Sequence, residues 1–162
     1  DTDKLVYILN IKKHFENLQF VVTLENANLK QTFINAGVKY AISKNEITSR
    51  LLASYMFEPD VAQYSEEILA YPIEETDYDI KQFRILKGNP FIKQEYDKSF
   101  YELKKMYNVI LIGLVREENG QKTVHKNPQD NFIIQEGDFL MMIMNRAAES
   151  KIRKVFSIKE GI

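Results

Sequence analysis

The residues with most chemistry to offer are carboxylates and amides set at the ends of apolar runs. Glu25 closes the run from Leu18 to Leu24 and is followed by Asn26 and Asn28. In open parallel sheets, ligands sit outside the carboxyl ends of the strands, which is where Glu25 falls. A hard cation such as Ca²⁺ takes about six to eight oxygens, and Glu25 with Asn26 supplies one corner of such a shell. The competing reading makes Asn26 a helix cap and Glu25 a favourable charge beside that helix's N-terminus. Asp138 stands in the turn Glu136-Gly137-Asp138, just before the apolar run Phe139 to Met144. It reads as the residue that holds that turn rather than as a metal ligand. Glu66-Glu67 and Glu74-Glu75-Asp77 read as solvated faces.

Other chemistries are missing at the level of motif. The six glycines include no G-x-G pair and no G-x-x-x-x-G-K, so the chain shows no phosphate cradle of either common kind. His14 and His125 have no ligand partner at i+3 or i+4 and read as exposed or locally bonded side chains. Without cysteine there is no thiolate chemistry, disulfide or cysteine zinc site. No G-x-S-x-G elbow or H-E-x-x-H helix occurs, so the expectation is a protein that is not an enzyme. A net charge of −1 gives no field for nucleic acid or an anionic membrane surface. The apolar runs fall far short of the ~20 residues that span a bilayer. The opening "DTDKLVYILN" lacks a signal peptide's basic flank and reads as a helix entered in mid-structure, hence as part of a longer protein.

The elements that must position these residues follow from periodicity. Leu5, Ile8, Leu9 and Lys12 share one stripe of a helix over 4–14. "LQFVVTLE" reads as a strand buried on both faces. A helix over 27–36 ends at Gly37, "VKYAIS" is a second strand, and Ser43 three residues before Glu46 opens the helix "EITSRLLASYMF". This order implies parallel βαβ structure and an α/β fold. Ile47, Leu51, Leu52, Tyr55 and Met56 form an apolar stripe on that last helix, either core within the chain or a subunit interface. Pro59 breaks the helix, and Asp60 caps a further one, "VAQYSEEILA". Beyond Pro72 the pattern becomes α+β with mainly hairpin connections. The strand "YDIKQFRI" comes first, then a helix opened by Ser99 and Glu102, the strand "VILIGLVRE", an Asn119-Gly120 hairpin into "KTVHKN", the strand after Asp138, and the helix "AAESKIRKVFSI".

Laid out this way, the chain resembles the RCK (regulator of K⁺ conductance) family, also called KTN or TrkA-type domains. The first lobe carries the resemblance in "FVVTLENANLKQTFINAGVKYAISKNEITSRLLASYMFEPDV", with its Ala36-Gly37 corner before the second strand. The second lobe carries it in "VILIGLVREENGQKTVHKNPQDNFIIQEGDFLMMIMN", where a hairpin, Asn127-Pro128, an apolar strand and Gly137-Asp138 keep the family's order and spacing.

The resemblance implies residues 1–57 as the second half of a Rossmann-like lobe, 58–75 as a helical crossover and 76–162 as a TrkA C-terminal-type lobe. The glycine-bearing first half of the Rossmann lobe is absent from the sequence. In some Ca²⁺-gated relatives two acids near the end of the matching strand bind the ion; the matching positions are Thr23 and Glu25, so one acid is kept. A Ca²⁺ or nucleotide site is thereby implied for the full-length protein, without a certain cofactor for this chain. The implied function is a cytoplasmic, ligand-sensing module that forms homodimers and rings and gates the membrane pore of a K⁺ channel. No nucleic acid partner or membrane insertion of its own is implied. Glu25 and Asn26 are the candidate ligand residues and the 47–56 stripe the candidate dimer contact. Two alternatives stand: the regulatory part of a K⁺ transporter or cation antiporter, and the C-terminal part of a nicotinamide-dependent oxidoreductase, for which His125 is the visible acid–base.

Overall fold

The computed structural model describes residues 1–129 and 131–157. The chain divides between Gln63 and Tyr64 into two units. In the first, helix α1 (Thr2–Lys12) precedes strand β1 (Val21–Leu24), a 3-10 turn (Ala27–Leu29), helix α2 (Lys30–Asn35), strand β2 (Tyr40–Ser43) and helix α3 (Lys44–Phe57). The two strands run parallel, from Val21 opposite Tyr40 to Leu24 opposite Ser43, as a strand-helix-strand order with short connections requires. Ile8, Leu24, Phe33, Val38 and Ala41 make the core of this unit.

Four expectations for this half are corrected. Of the α1 stripe only Ile8 is buried; Leu9 is exposed, and Lys12 instead donates from Nζ to the carbonyls of Ala36 and Gly37 at 3.2 and 3.3 Å. That ammonium sits where the end of α2 leaves acceptors unpaired. Strand β1 is not buried on both faces, since Val21 is 61% exposed while Leu24 is fully buried. Its described sheet has two strands only, so alternate side chains stay open. The helix expected over 27–36 starts as a 3-10 turn, because Asn26 Oδ1 accepts from the Asn28 amide at 3.0 Å and tightens the first turn. Asp60 does not cap helix α4 (Pro59–Leu69). Pro59 takes the first helical position, where its missing N–H costs nothing, and Asp60 lies within the first turn. The Ser43 cap of α3 is present, its Oγ accepting from the Glu46 amide at 3.3 Å.

The second unit holds strand β3 (Tyr78–Arg84), helix α5 (Tyr96–Tyr107), strands β4 (Ile110–Glu118), β5 (Gln121–Lys126) and β6 (Phe139–Asn145), and helix α6 (Arg146–Phe156). Its antiparallel sheet has the order β3-β6-β4-β5. Among the described residues only β4 and β5 form the expected tight hairpin: Asn119 and Gly120 take φ of 53° and 76°, the pair of positive values that a type I′ turn needs. Strand β6 inserts between β3 and β4, so the other connections are longer than the hairpins expected. Helix α5 starts earlier than its Ser99 signal suggests. Ser99 is buried inside it, donating back to the Glu95 carbonyl at 3.0 Å, a helix-interior habit of serine that mimics the cap pattern in sequence. The part of the closing helix expected at Ile158 lies outside the described residues.

The core of this unit lies between one sheet face and both helices. Phe156 of α6 packs edge-on to Phe83 of β3 at 5.6 Å and against Phe91 at 5.8 Å. Ile152, Leu103, Leu140 and Met142 are fully buried beside them. Each such side chain contributes about 1.5–3 kcal/mol of burial. Asn145 caps α6, its Oδ1 accepting from the Ala148 amide at 3.0 Å.

Candidate functional site

Glu25 and Asn26 stand at the carboxyl end of β1, as the sequence reading placed them. They line a cleft of about 580 Å³ with Ser43, Asn45, Ser49 and Arg50. Asn26 is a cap for the following turn. Glu25 is exposed, and its carboxylate accepts from Lys44 Nζ at 2.8 Å. This hydrogen bond, with the charge of Lys44, holds the Glu25 carboxyl below its usual range. The Glu25 carbonyl accepts from the Asn45 side-chain Nδ2 at 2.9 Å. The amides of Glu25 and Asn26 donate to the Asp1 carboxylate at 3.1 and 3.0 Å. A cation at Glu25 Oε1 would compete with Lys44. Among the described residues no three acidic, histidine or cysteine side chains gather as a metal cluster. Thr23, the other position matched to the acidic pair, points no acid at the cleft, and its carbonyl accepts from Lys4 at 2.8 Å.

Lys44 was missed as the partner of Glu25, although the signal was present. Once Leu24 is paired with Ser43, the next residues of two parallel strands are Glu25 and Lys44, side by side.

The stripe on α3 lies open. No residue of this helix is buried; Ile47 is 56% exposed, Leu52 59% and Met56 78%, with Leu51 half-buried and Tyr55 exposed. The stripe is therefore not part of the first unit's core.

Asp138 is 2% exposed. It accepts from the Gln135 amide at 2.8 Å, holding the turn as expected. It also receives both Nε and an Nη of Arg116, at 2.9 and 2.7 Å. The hydrogen bond to Asp138 raises the guanidinium's pKa further. Arg116 also lies 4.7 Å from the Phe132 ring, on which His125 packs at 4.8 Å. His125 is thus a ring contact within the lobe, and His14 is exposed.

No family model matches the sequence, and no curated protein matches it. Solved structures do match by shape. The chain superposes on the human SLO3 gating ring with a TM-score of 0.73 at 11% identity, covering 96% of this chain and 31% of that one. The fold is of the RCK type. The GsuK RCK domain matches with a TM-score of 0.45 at 11% identity, over 98% of this chain and 31% of that one. The RCK_C domain dimer of S. agalactiae BusR in complex with c-di-AMP matches with a TM-score of 0.38 at 10% identity, over 49% and 97%. The chain spans about a third of the length of the SLO3 and GsuK chains. Among the described residues no helix is long and apolar enough to cross a membrane.

Proposed function

We propose that this chain is a regulatory module that self-associates, senses a ligand and gates a K⁺ channel from the cytoplasmic side, without catalysing a reaction. The observation that carries the reading is α3: a 14-residue helix with an apolar stripe and no buried residue, in a chain that shares its fold with a gating ring. An apolar helix face left open within its own chain marks an interaction surface. Self-association through it supplies the geometry on which a ligand acts. The ligand does work on a pore only through its different affinity for two arrangements of the module. The cleft at Glu25 is the candidate place for that ligand, the Glu25–Lys44 pair being the contact it would compete with.

Sedimentation of the chain across protein concentration tests the association. A dimer is expected, and Leu52→Glu with Met56→Glu should return it to a monomer of unchanged stability. A native chain that stays strictly monomeric at high concentration removes the interface. For gating, the intact parent protein should carry a ligand-dependent K⁺ flux in vesicles that the same double substitution abolishes. Turnover of hydroxy acids with a nicotinamide by the parent would favour the oxidoreductase reading instead.

A further inference from the structure

The net charge of −1 conceals a segregation that only the fold reveals. Helices α5 and α6 pack on the same face of the second unit's sheet and touch each other, α5 over β4 and α6 over β6 and β3. Their inward sides are settled by burial: Tyr96, Ser99 and Leu103 on α5, and Ala148, Ile152 and Phe156 on α6. Their outward sides therefore share one surface, roughly 16–18 Å along the helix axes for 12 and 11 residues.

The exposed charges of α5 are Lys98, Lys104 and Lys105. Those of α6 are Arg146, Lys151, Arg153 and Lys154, and neither helix exposes an acid. The acids they do carry are half-buried (Asp97, Glu102) or buried (Glu149). Arg153 is held by Glu149, and Lys104 donates to the neutral Asn108 at 2.9 Å. Lys98, Lys105, Arg146, Lys151 and Lys154 form no ion pair among the described residues. Spacing arranges them in stripes. Lys98, Tyr101 and Lys105 stand at i, i+3 and i+7, so an aromatic side chain, 71% exposed, lies between two lysines. Ala147, Lys151 and Lys154 repeat the helical interval on α6.

We propose that this two-helix face lies against an anionic lipid bilayer, its lysines and Arg146 among the headgroups and Tyr101 at their level. Attraction to such a surface fades within a Debye length, so the charge of the apposed face decides it and the net charge does not. Basic clusters on amphipathic helices are matched to anionic lipid in this way. A tyrosine among lysines suits the headgroup layer, where one side chain meets both apolar carbon and water. Nucleic acid is gripped by an element set into a groove or by a channel that tracks the strand, and two helices presenting their sides offer neither. The inference concerns the second unit alone and stands independently of the gating reading.

The test is co-sedimentation of the chain with phosphatidylcholine vesicles, with and without about 30% phosphatidylserine, at about 0.1 M salt. Binding is expected only with phosphatidylserine, and release on raising the salt to about 0.5 M. Lys151→Gln with Lys154→Gln should weaken binding by roughly ten- to thirty-fold, at about five-fold per charge. Lys151→Arg with Lys154→Arg should bind as the native chain does. Lys122→Gln with Lys126→Gln makes the same change of net charge on strand β5 and should leave binding unchanged. Tyr101→Ser should weaken binding by about two- to ten-fold without altering its salt dependence. All five residues are exposed, and circular dichroism of each variant verifies the fold. The proposal is overturned by no binding at about 1 mM accessible phosphatidylserine, or by a β5 pair that weakens binding as much as the α6 pair. Tighter binding to a DNA duplex than to vesicles, per accessible anionic charge, would assign the face to nucleic acid and overturn it as well.

Discussion

At the scale of single residues, Asp138 has two duties, and they can be separated. One oxygen closes the turn on Gln135, while both oxygens meet Arg116. Removing one partner of a buried ion pair leaves the other charge uncompensated, at a cost of about 3–5 kcal/mol. Arg116 keeps 14% side-chain exposure, which moderates this, so Asp138→Ala should lower the unfolding free energy by about 2–4 kcal/mol in a denaturant titration. Asp138→Asn keeps an acceptor for Gln135 but removes the charge that meets Arg116, and should lose more than half of that. A loss well under half would mean that the turn, not the ion pair, sets the stability. Tyr96 gives a pH signature. It is buried, its hydroxyl donates to the Leu111 carbonyl at 3.2 Å, and burial, with Asp97 nearby, pushes its pKa up to about 12. A pKa raised on folding means the native state holds the proton more tightly than the unfolded chain. Its contribution is complete below about pH 10, the unfolded value, and is lost as pH rises toward 12. The native chain should therefore lose stability over that window more steeply than Tyr96→Phe does. Parallel curves for the two proteins would remove Tyr96 as the cause.

At the scale of elements, β4 depends on a missing side chain. A Cβ at Gly113 would stand 2.5 Å from the His125 carbonyl oxygen, where the backbone of β5 leaves no room, and 3.1 Å from the end of Met141. Gly113→Ala should push β5 away from β4 and cost about 1–3 kcal/mol, with hydrogen exchange rising first at the amides of β5. Uniform exchange changes over the whole sheet would show that the strain is not local to this pair. Nothing in "VILIGLVRE" distinguishes this glycine from a weak spot in a buried strand. Its reason sits on another strand, and only the pairing reveals it. The same holds for Arg116, 22 residues from Asp138 and joined to it only after β4 and β6 pair. Local signals were legible where the chemistry is local: the Ser43 cap, the Asn119-Gly120 turn and the end of α2 at Gly37, whose φ is +83°. They misled where one local pattern serves two purposes, as at Ser99. The candidate cleft was half legible, because strand ends mark where Glu25 falls while the strand register decides that Lys44 meets it. Replacing Lys44 with Met should return the Glu25 carboxyl toward its ordinary range, since that partner is the main cause of its lowering. Carboxyl carbon shifts followed against pH would register the return, and an unmoved titration would deny the pair any hold on the site.

For the whole molecule, the two units have separate cores of unequal size. The first relies on Ile8, Leu24, Phe33, Val38 and Ala41, beneath a two-stranded sheet. The second packs two helices on one face of a four-stranded sheet, with Phe83, Phe91, Tyr96, Leu103, Leu140 and Phe156 among its buried side chains. A small domain buries a smaller fraction of its surface and is correspondingly marginal, and a two-stranded sheet needs outside support. Unfolding should therefore proceed in two steps, with the first unit opening at lower denaturant. Hydrogen exchange should give amides of β1 and β2 lower protection than those of β4 and β6. A fragment beginning at Pro59, which keeps α4 whole, should retain the upper transition and its midpoint. One cooperative transition for the whole chain, with equal protection in both sheets, would instead mean that neither unit has a stability of its own.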